Sequence, residues 1–189
     1  MVSCVGTSPL ITHNGRLIDP LDPISKLIKE VSAKRTKTDA DHEEMARLEF
    51  LGSLYHQPEV GPFIPAVNLH KSIVEGARLS RGGKSIERGV FFDDVLLPLV
   101  YEGPRDAEQL FAEKRFVSRM PVKVGAAKVM RTRPVFTRWR LEGAGQFDDA
   151  VLNLTDLRQA VQKAGLMIGL GDYRPSFGRY TATLVGAGQ

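Results

Sequence analysis

The sequence predicts an α+β fold, and three observations carry that expectation. Short or alternating apolar runs of strand character are interspersed with helical patterns and do not repeat as regular strand–helix–strand units, which argues against a doubly wound parallel sheet. Nine basic residues and no acidic one lie between Lys114 and Arg140, in a stretch rich in Val, Phe, Trp and Thr that reads as strand. Near the end, Gly165 to Tyr180 holds four glycines and two arginines between a helical pattern and a last strand.

Met1 to Leu10 reads as a first strand, ended by polar and turn residues around Thr12 to Gly15. Asp19 to Pro23 is a loop, and Pro23 suits the first turn of a helix whose apolar side is Ile24, Leu27, Ile28 and Val31. Ala33 to Asp41 is polar, charged and poor in apolar residues, and is expected to be a mobile connection into a helix over Ala40 to Phe50. Tyr55 to Pro62 reads as loop, after which Pro65 opens a helix with Val67, Leu69, Ile73, Val74, Ala77 and Leu79 on its apolar side, ended by Ser80 to Ser85. Strands are expected at Arg88 to Phe92 and Leu96 to Tyr101, and a short helix at Pro104 to Ala112.

The basic block reads as two strands, Phe116 to Val124 and Ala126 to Leu141. Period-two alternation puts Arg138 and Arg140 on one face and Trp139 and Leu141 on the other, and pairs Arg131 with Arg133. Pro134 cannot donate to a ladder, so this strand is expected at a sheet edge or bulged there. Asn153 is a suitable N-cap for a helix carrying Leu154, Leu157, Val161 and Ala164, with Gly165 placed to end it. Arg179 to Val185 is the last strand.

Composition bounds the class. The chain has 189 residues with 42% hydrophobic and 25% charged content, ordinary for one globular domain spanning residues 1–189. No apolar run reaches the roughly 20 residues of a membrane span, and the start lacks the charged and apolar regions of a signal peptide. A lone cysteine, Cys4, suits a reducing compartment and a core position, so the expected location is cytoplasmic. Net charge is +4 while the basic block carries +9, which leaves −5 on the rest of the chain. Such an unmixed positive block is the footprint of a polyanion site.

Three familiar motifs are excluded. Gly82-Gly83-Lys84-Ser85 lacks the earlier glycine of a P-loop, position 78 being Arg78, and it follows a helix. It reads instead as a basic helix exit with Arg78, Arg81, Lys84 and Arg88. Gly169-Leu170-Gly171 lacks the third glycine of a dinucleotide fingerprint and joins helix to strand. His13, His42, His56 and His70 are scattered without ligand spacing, so no metal and no cofactor are expected. Tyr173, Phe177 and Tyr180 interleave with Arg174 and Arg179, a composition that serves single-stranded nucleic acid, with Phe177 and Tyr180 also suited to anchoring the loop in the core.

The order of elements then resembles the RAMP superfamily, the ferredoxin-like RNA-binding proteins that include the CRISPR effector backbone subunits. The resemblance rests on the final helix, Gly165, Gly169-Leu170-Gly171, and Phe177-Gly178-Arg179 entering the last strand. Pro62-Phe63-Ile64-Pro65-Ala66-Val67-Asn68-Leu69-His70-Lys71 resembles that family's Ile-Pro-Gly-Ser-Ser-Leu-Lys-Gly entry into its first helix, with Ala66, Val67 and Asn68 replacing the Gly-Ser-Ser. The strand Val129 to Pro134 is similar to that of small RAMP-like proteins of bacteriophages. The resemblance spans Gly61 to Val185. It implies a ferredoxin-like antiparallel sheet with helices on one face, and a helical insertion over residues 21–56 after the first strand. It also implies that the glycine loop and helix start hold a strand's backbone, often in a row of subunits.

The leading expectation is a non-enzymatic protein that binds single-stranded nucleic acid, RNA ahead of DNA, and forms a homo-oligomer along it. Lys123, Lys128, Arg131, Arg133, Arg138 and Arg140 would contact phosphates, and Gly169 and Gly171 would admit the backbone. Arg174 and Arg179 would clamp it, with His70, Lys71 and Arg78 contributing from the helix. Two alternatives stay open. One is an endoribonuclease of the same superfamily using His13 or His56 as base. The other is a viral structural or adaptor protein whose basic surface serves assembly.

Overall fold

The first strand changes sheets partway along its length. In the computed structural model, which describes residues 1–186, β1 covers Val2–Gly6 and β2 Leu10–Ile11. The single strand expected over Met1 to Leu10 is interrupted at Thr7 to Pro9. There the amides of Thr7 and Ser8 both donate to the Arg179 carbonyl, at 2.7 and 3.2 Å, and Pro9 has no N–H to continue a ladder. A 3-10 turn, Gly15–Ile18, follows.

Helix α1 (Pro23–Ala33) starts at Asp22, whose carboxylate accepts from the Ile24 and Ser25 amides. Helix α2 (Asp39–Ser53) starts at Thr38 with a complete capping box against Asp41. Asp41 also pairs with Lys34, which holds its carboxyl well below the usual carboxylate range. The connection expected to be mobile is therefore the short, doubly anchored stretch 34–38. Helix α2 also runs a turn past the predicted end, because Leu48, Phe50, Gly52 and Ser53 are buried.

Residues 56–57 and 61–65 form a hairpin, β3 (His56–Gln57) with β4 (Gly61–Pro65), where a loop was expected. Helix α3 (Ala66–Arg78) follows directly. A further short helix, α4 (Gly83–Gly89), occupies part of the predicted helix exit, and the strand expected from Arg88 shortens to β5 (Val90–Phe92). Then come β6 (Leu96–Pro98), α5 (Ala107–Ala112), β7 (Val117–Val124) and β8 (Ala127–Phe136). The long strand expected to Leu141 breaks at 137–139 and resumes as β9 (Arg140–Gly143) and β10 (Gly145–Phe147). Asn153 caps α6 (Leu154–Lys163), and β11 is Tyr180–Leu184.

All strand pairs are antiparallel. The central sheet runs β11–β1–β9, in register at Val5↔Thr181 and Val5↔Arg140. A bridge between Arg140 and Val100 continues it to β6–β4–β3, and β5 pairs with β10. A second sheet runs β2–β8–β7. Strand β8 is therefore its middle strand, not the edge expected from Pro134. The proline is accommodated because it sits where the β7 ladder ends, opposite Val117, just before β8 pairs with β2 at Val135 and Phe136.

The core lies between the central sheet and helices α3 and α6. Cys4, Leu141 and Tyr180 from the sheet pack in one cluster with Leu69, Ile73, Leu157 and Val161 from the helices. Each of these aliphatic side chains contributes about 2 kcal/mol on burial. Burial pushes the Cys4 thiol up to about 12, so it is an inert core group. The opposite face of the sheet carries Val5, Arg140 and Thr181, all of them exposed. No helix among the described residues is long and apolar enough to cross a membrane.

Candidate functional site

The glycine–arginine loop is tied to its own protein. After α6 the chain makes a π-helical turn, Ala164–Ile168, so Gly165 does not end the helix as expected. Gly169 ends it, at φ 81°, and its carbonyl accepts from the Ser72 hydroxyl at 2.9 Å. Ser72 is itself 3.0 Å from the buried Tyr180 hydroxyl. Gly171 has φ 72°, and a Cβ there would run into the Ile11 carbonyl. That carbonyl accepts from the Asp172 amide at 2.8 Å. The close approach that Gly171 permits is thus to strand β2.

The arginines divide into two groups. Arg133 pairs with Asp172 and lies 5.0 Å over the Tyr173 ring, and Tyr173 holds a left-handed φ of 54°. Arg131 pairs with Glu49 of α2, whose second oxygen accepts from the Thr132 amide at 2.8 Å. Arg174 pairs with Glu75 of α3 at 3.2 Å. All three meet acids of the same chain, two of them more than eighty residues away in sequence. A groove of about 500 Å³ remains beside the loop, lined by Glu75, Met167, Tyr173, Arg174 and Pro175.

Arg138, Arg140 and Arg179 are exposed and make no ion pair among the described residues. They gather around one end of β1. The Gly6 amide donates to the Trp139 carbonyl at 2.8 Å, and Gly6 pairs on its other side with Tyr180. Arg138 and Arg179 thus stand on the two chains flanking β1, roughly 10 Å apart by strand spacing. Arg140 lies in a row with the half-exposed Val5 and Val100. Trp139 is turned inward, with its indole N–H donating to the Ser8 carbonyl at 2.9 Å.

The remaining predicted contacts are spread out. Lys123 and Lys128 face each other across the β7–β8 hairpin, both exposed. Lys71 and Arg78 are exposed on α3, while His70 is half-buried and its Nε2 has no hydrogen-bond partner among the described residues. These residues do not converge with the open face of the central sheet into one pocket.

A second constellation was only half visible in the sequence. His13, an exposed residue, lies on the wall of a cavity of about 310 Å³ together with Ser53, Glu49, Arg131 and Arg133. Its Nδ1 lies 3.4 Å from the Ser53 hydroxyl. Burial, and then the charges of Arg133 and Arg131, hold the His13 pKa below its ordinary value, with Glu49 opposing. Ser53 and Glu49 come from the predicted insertion, and their meeting with His13 has no signal in spacing. His56, the other candidate base, has its Nε2 2.8 Å from the Arg105 carbonyl. No protein-family model matches the sequence, and no curated protein matches it.

Proposed function

We propose that the protein binds single-stranded nucleic acid, RNA ahead of DNA, by its phosphates and without cleaving it. The observation that carries this reading is the set of exposed arginines, Arg138, Arg140 and Arg179, without an ion pair among the described residues and at one end of an exposed sheet face. Val5 and Val100 beside Arg140 offer apolar surface for bases, and the guanidiniums offer charge-assisted donors for phosphates. Lys123 and Lys128 add to it. Like charges directly opposite in a ladder repel, and a phosphate between them relieves that repulsion. The strand order β11–β1–β9, the β5–β10 pair and the packing of α3 and α6 on one face support a ferredoxin-like core of RAMP type. Residues 21–56, with α1 and α2, would then be its insertion, and copies would line up along the strand. The buried thiol of Cys4 suits a cytoplasmic setting.

The test is affinity for a labelled single strand of about 30 nucleotides, RNA and DNA in parallel, across a salt series. Affinity should fall steeply with salt, because each neutralised phosphate releases counterions. Affinity that is flat with salt would sink the proposal.

One observation favours a second reading, metal-independent RNA cleavage: the His13 imidazole shares one cavity with a hydroxyl and two guanidiniums, and its pKa is held below the ordinary value. It predicts that labelled RNA is cut and that His13→Ala abolishes cutting. RNA left intact after long incubation rejects it.

A further inference from the structure

One strand edge beside an apolar groove has no partner among the described residues. Strand β1 pairs with β9 and β11 from Val2 onward, Val2 standing between Gly143 and Leu184. Past Val2, β10 continues from β9 on one side, and Val185 and Gly186 continue from β11 on the other. A groove of about 280 Å³ is lined by Phe91, Gly145, Phe147, Leu184 and Gly186, with Leu157 of α6. Only one side of the β10 backbone is used. The Asp93 amide donates to the Ala144 carbonyl at 3.1 Å, and the Asp148 amide to the Gly89 carbonyl at 2.8 Å. Antiparallel ladders alternate, so Gln146 also faces β5, while Gly145 and Phe147 turn N–H and C=O away from it. Neither of these two has another backbone partner among the described residues. Edge strands are normally blunted by proline or charge, as β7 is by Arg119, Pro121 and Lys123, and β10 has neither. Gly145 brings no side chain into the groove, which leaves room for one supplied from outside.

Both ends of this edge are acidic. Asp93 and Asp94 follow Phe92, the partner of Gly145, and Glu142 precedes them on β9. Asp148 and Asp149 follow Phe147. All five are exposed and form no ion pair among the described residues. The cations nearby do not balance them. The terminal amine donates to the Val185 carbonyl at 3.0 Å, and Lys163 to the Ser80 hydroxyl at 2.9 Å. Arg88 is offset by Glu87, and Arg158 by Asp156 on the other side of Leu157.

We infer that the groove takes an extended segment of a partner protein, which pairs with β10 as an added strand, buries apolar side chains at alternate positions and carries Lys or Arg toward both ends. The backbone groups of Gly145 and Phe147 supply the main-chain bonds, the groove selects the inward side chains, and the aspartates select the flanks. The same acids repel a polyanion, so the site stands or falls separately from the binding proposed above.

The probe is a synthetic peptide, Lys-Lys-Val-Thr-Phe-Thr-Val-Lys-Lys, added to the isotope-labelled full chain after nuclease treatment. Amide exchange read by NMR should be fast at Gly145 and Phe147 in the free protein and about tenfold slower with saturating peptide. The same peptide N-methylated along its central residues keeps its side chains and charge but loses its donors, and should not slow them. Asp93→Lys with Asp94→Lys changes exposed positions, so the fold should persist by circular dichroism. This variant should bind the peptide about tenfold more weakly and should accept instead the peptide with Glu in place of its lysines. Asp149→Lys repeats the measurement at the other end of β10 if the first variant fails to fold. A peptide that leaves both amides exchanging as before at millimolar concentration overturns the inference, as does an N-methylated peptide that binds equally well. Amides already protected in the free protein also overturn it. Protection that is independent of protein concentration assigns the edge to the chain's own residues, and protection that rises with concentration assigns it to a second copy.

Discussion

The arginines of the β8–glycine loop region and those of the open sheet face come from the same part of the sequence and meet opposite fates. Arg131, Arg133 and Arg174 are each held by a carboxylate brought from elsewhere: Glu49 on α2, Asp172 on the loop, Glu75 on α3. Arg138, Arg140 and Arg179 meet none among the described residues. The first group clasps the β7–β8 hairpin, helices α2 and α3 and the loop together. The second has its charge available. A run of like charge in a sequence is thus divided by what the fold lays against it, and the paired members belong to stability before they belong to binding.

The largest effect expected on the clasped side is at Gly171. A Cβ there meets the Ile11 carbonyl in a left-handed conformation, so both space and backbone oppose it. Gly171→Ala should lower stability by about 3 kcal/mol, roughly 10 °C in Tm. Unchanged melting, with lost strand binding, would move the loop to the binding side of the comparison.

Next comes the open face. Replacing Arg138, Arg140 and Arg179 together by Ala should leave the melting temperature unchanged and cut single-strand affinity about 100-fold at low salt, while the salt slope falls by about 2. Loss of stability instead of affinity would erase the distinction between the two groups.

How far the sequence reveals this division depends on range. Local features were legible: the N-cap at Asn153, the helix after Pro65, and the inward turn of Trp139 and Leu141 against the outward turn of Arg138 and Arg140. Period and capping act within a few residues, so a single segment carries them. The breaks at Thr7 to Pro9 and at 137–139 were not legible, because the chain leaves one sheet for another there under long-range pairing. Glu49 and Asp172 were invisible as partners for the same reason, at separations of 82 and 39 residues. The glycine loop showed its need for close approach but not what approaches. The polyanion footprint could be counted in sequence, whereas which of its charges stay free could not.

A smaller effect is expected at Arg131. Its removal leaves the Glu49 carboxylate, 6% exposed, with only the Thr132 amide as partner. Arg131 itself is 40% exposed, so solvent screens part of the pair. Arg131→Ala should therefore cost about 2 kcal/mol by chemical denaturation, below the full loss for a buried pair. The double variant Arg131→Ala with Glu49→Gln should recover part of that loss. A single variant as stable as the wild type would place Arg131 with the free arginines.

The smallest effect sharpens the comparison from inside the clasp. His13 is held below its ordinary value by burial and by Arg133 and Arg131, so the folded state resists a proton that the unfolded chain accepts. The stability this contributes is fully present above the unfolded value near 6.5 and is lost as pH falls through the folded value. The wild type should therefore lose stability between neutral pH and pH 5 faster than His13→Gln, and the two curves should run parallel above neutral pH. The other three histidines are common to both proteins and cancel in the difference. An imidazole titration by NMR gives an independent readout: Arg131→Ala, by removing one facing positive charge, should shift the His13 titration upward. A wild-type His13 that titrates at or above its ordinary value would mean that the guanidiniums do not press on it. Arg131 and Arg133 would then be turned toward solvent, where the open-face arginines already are.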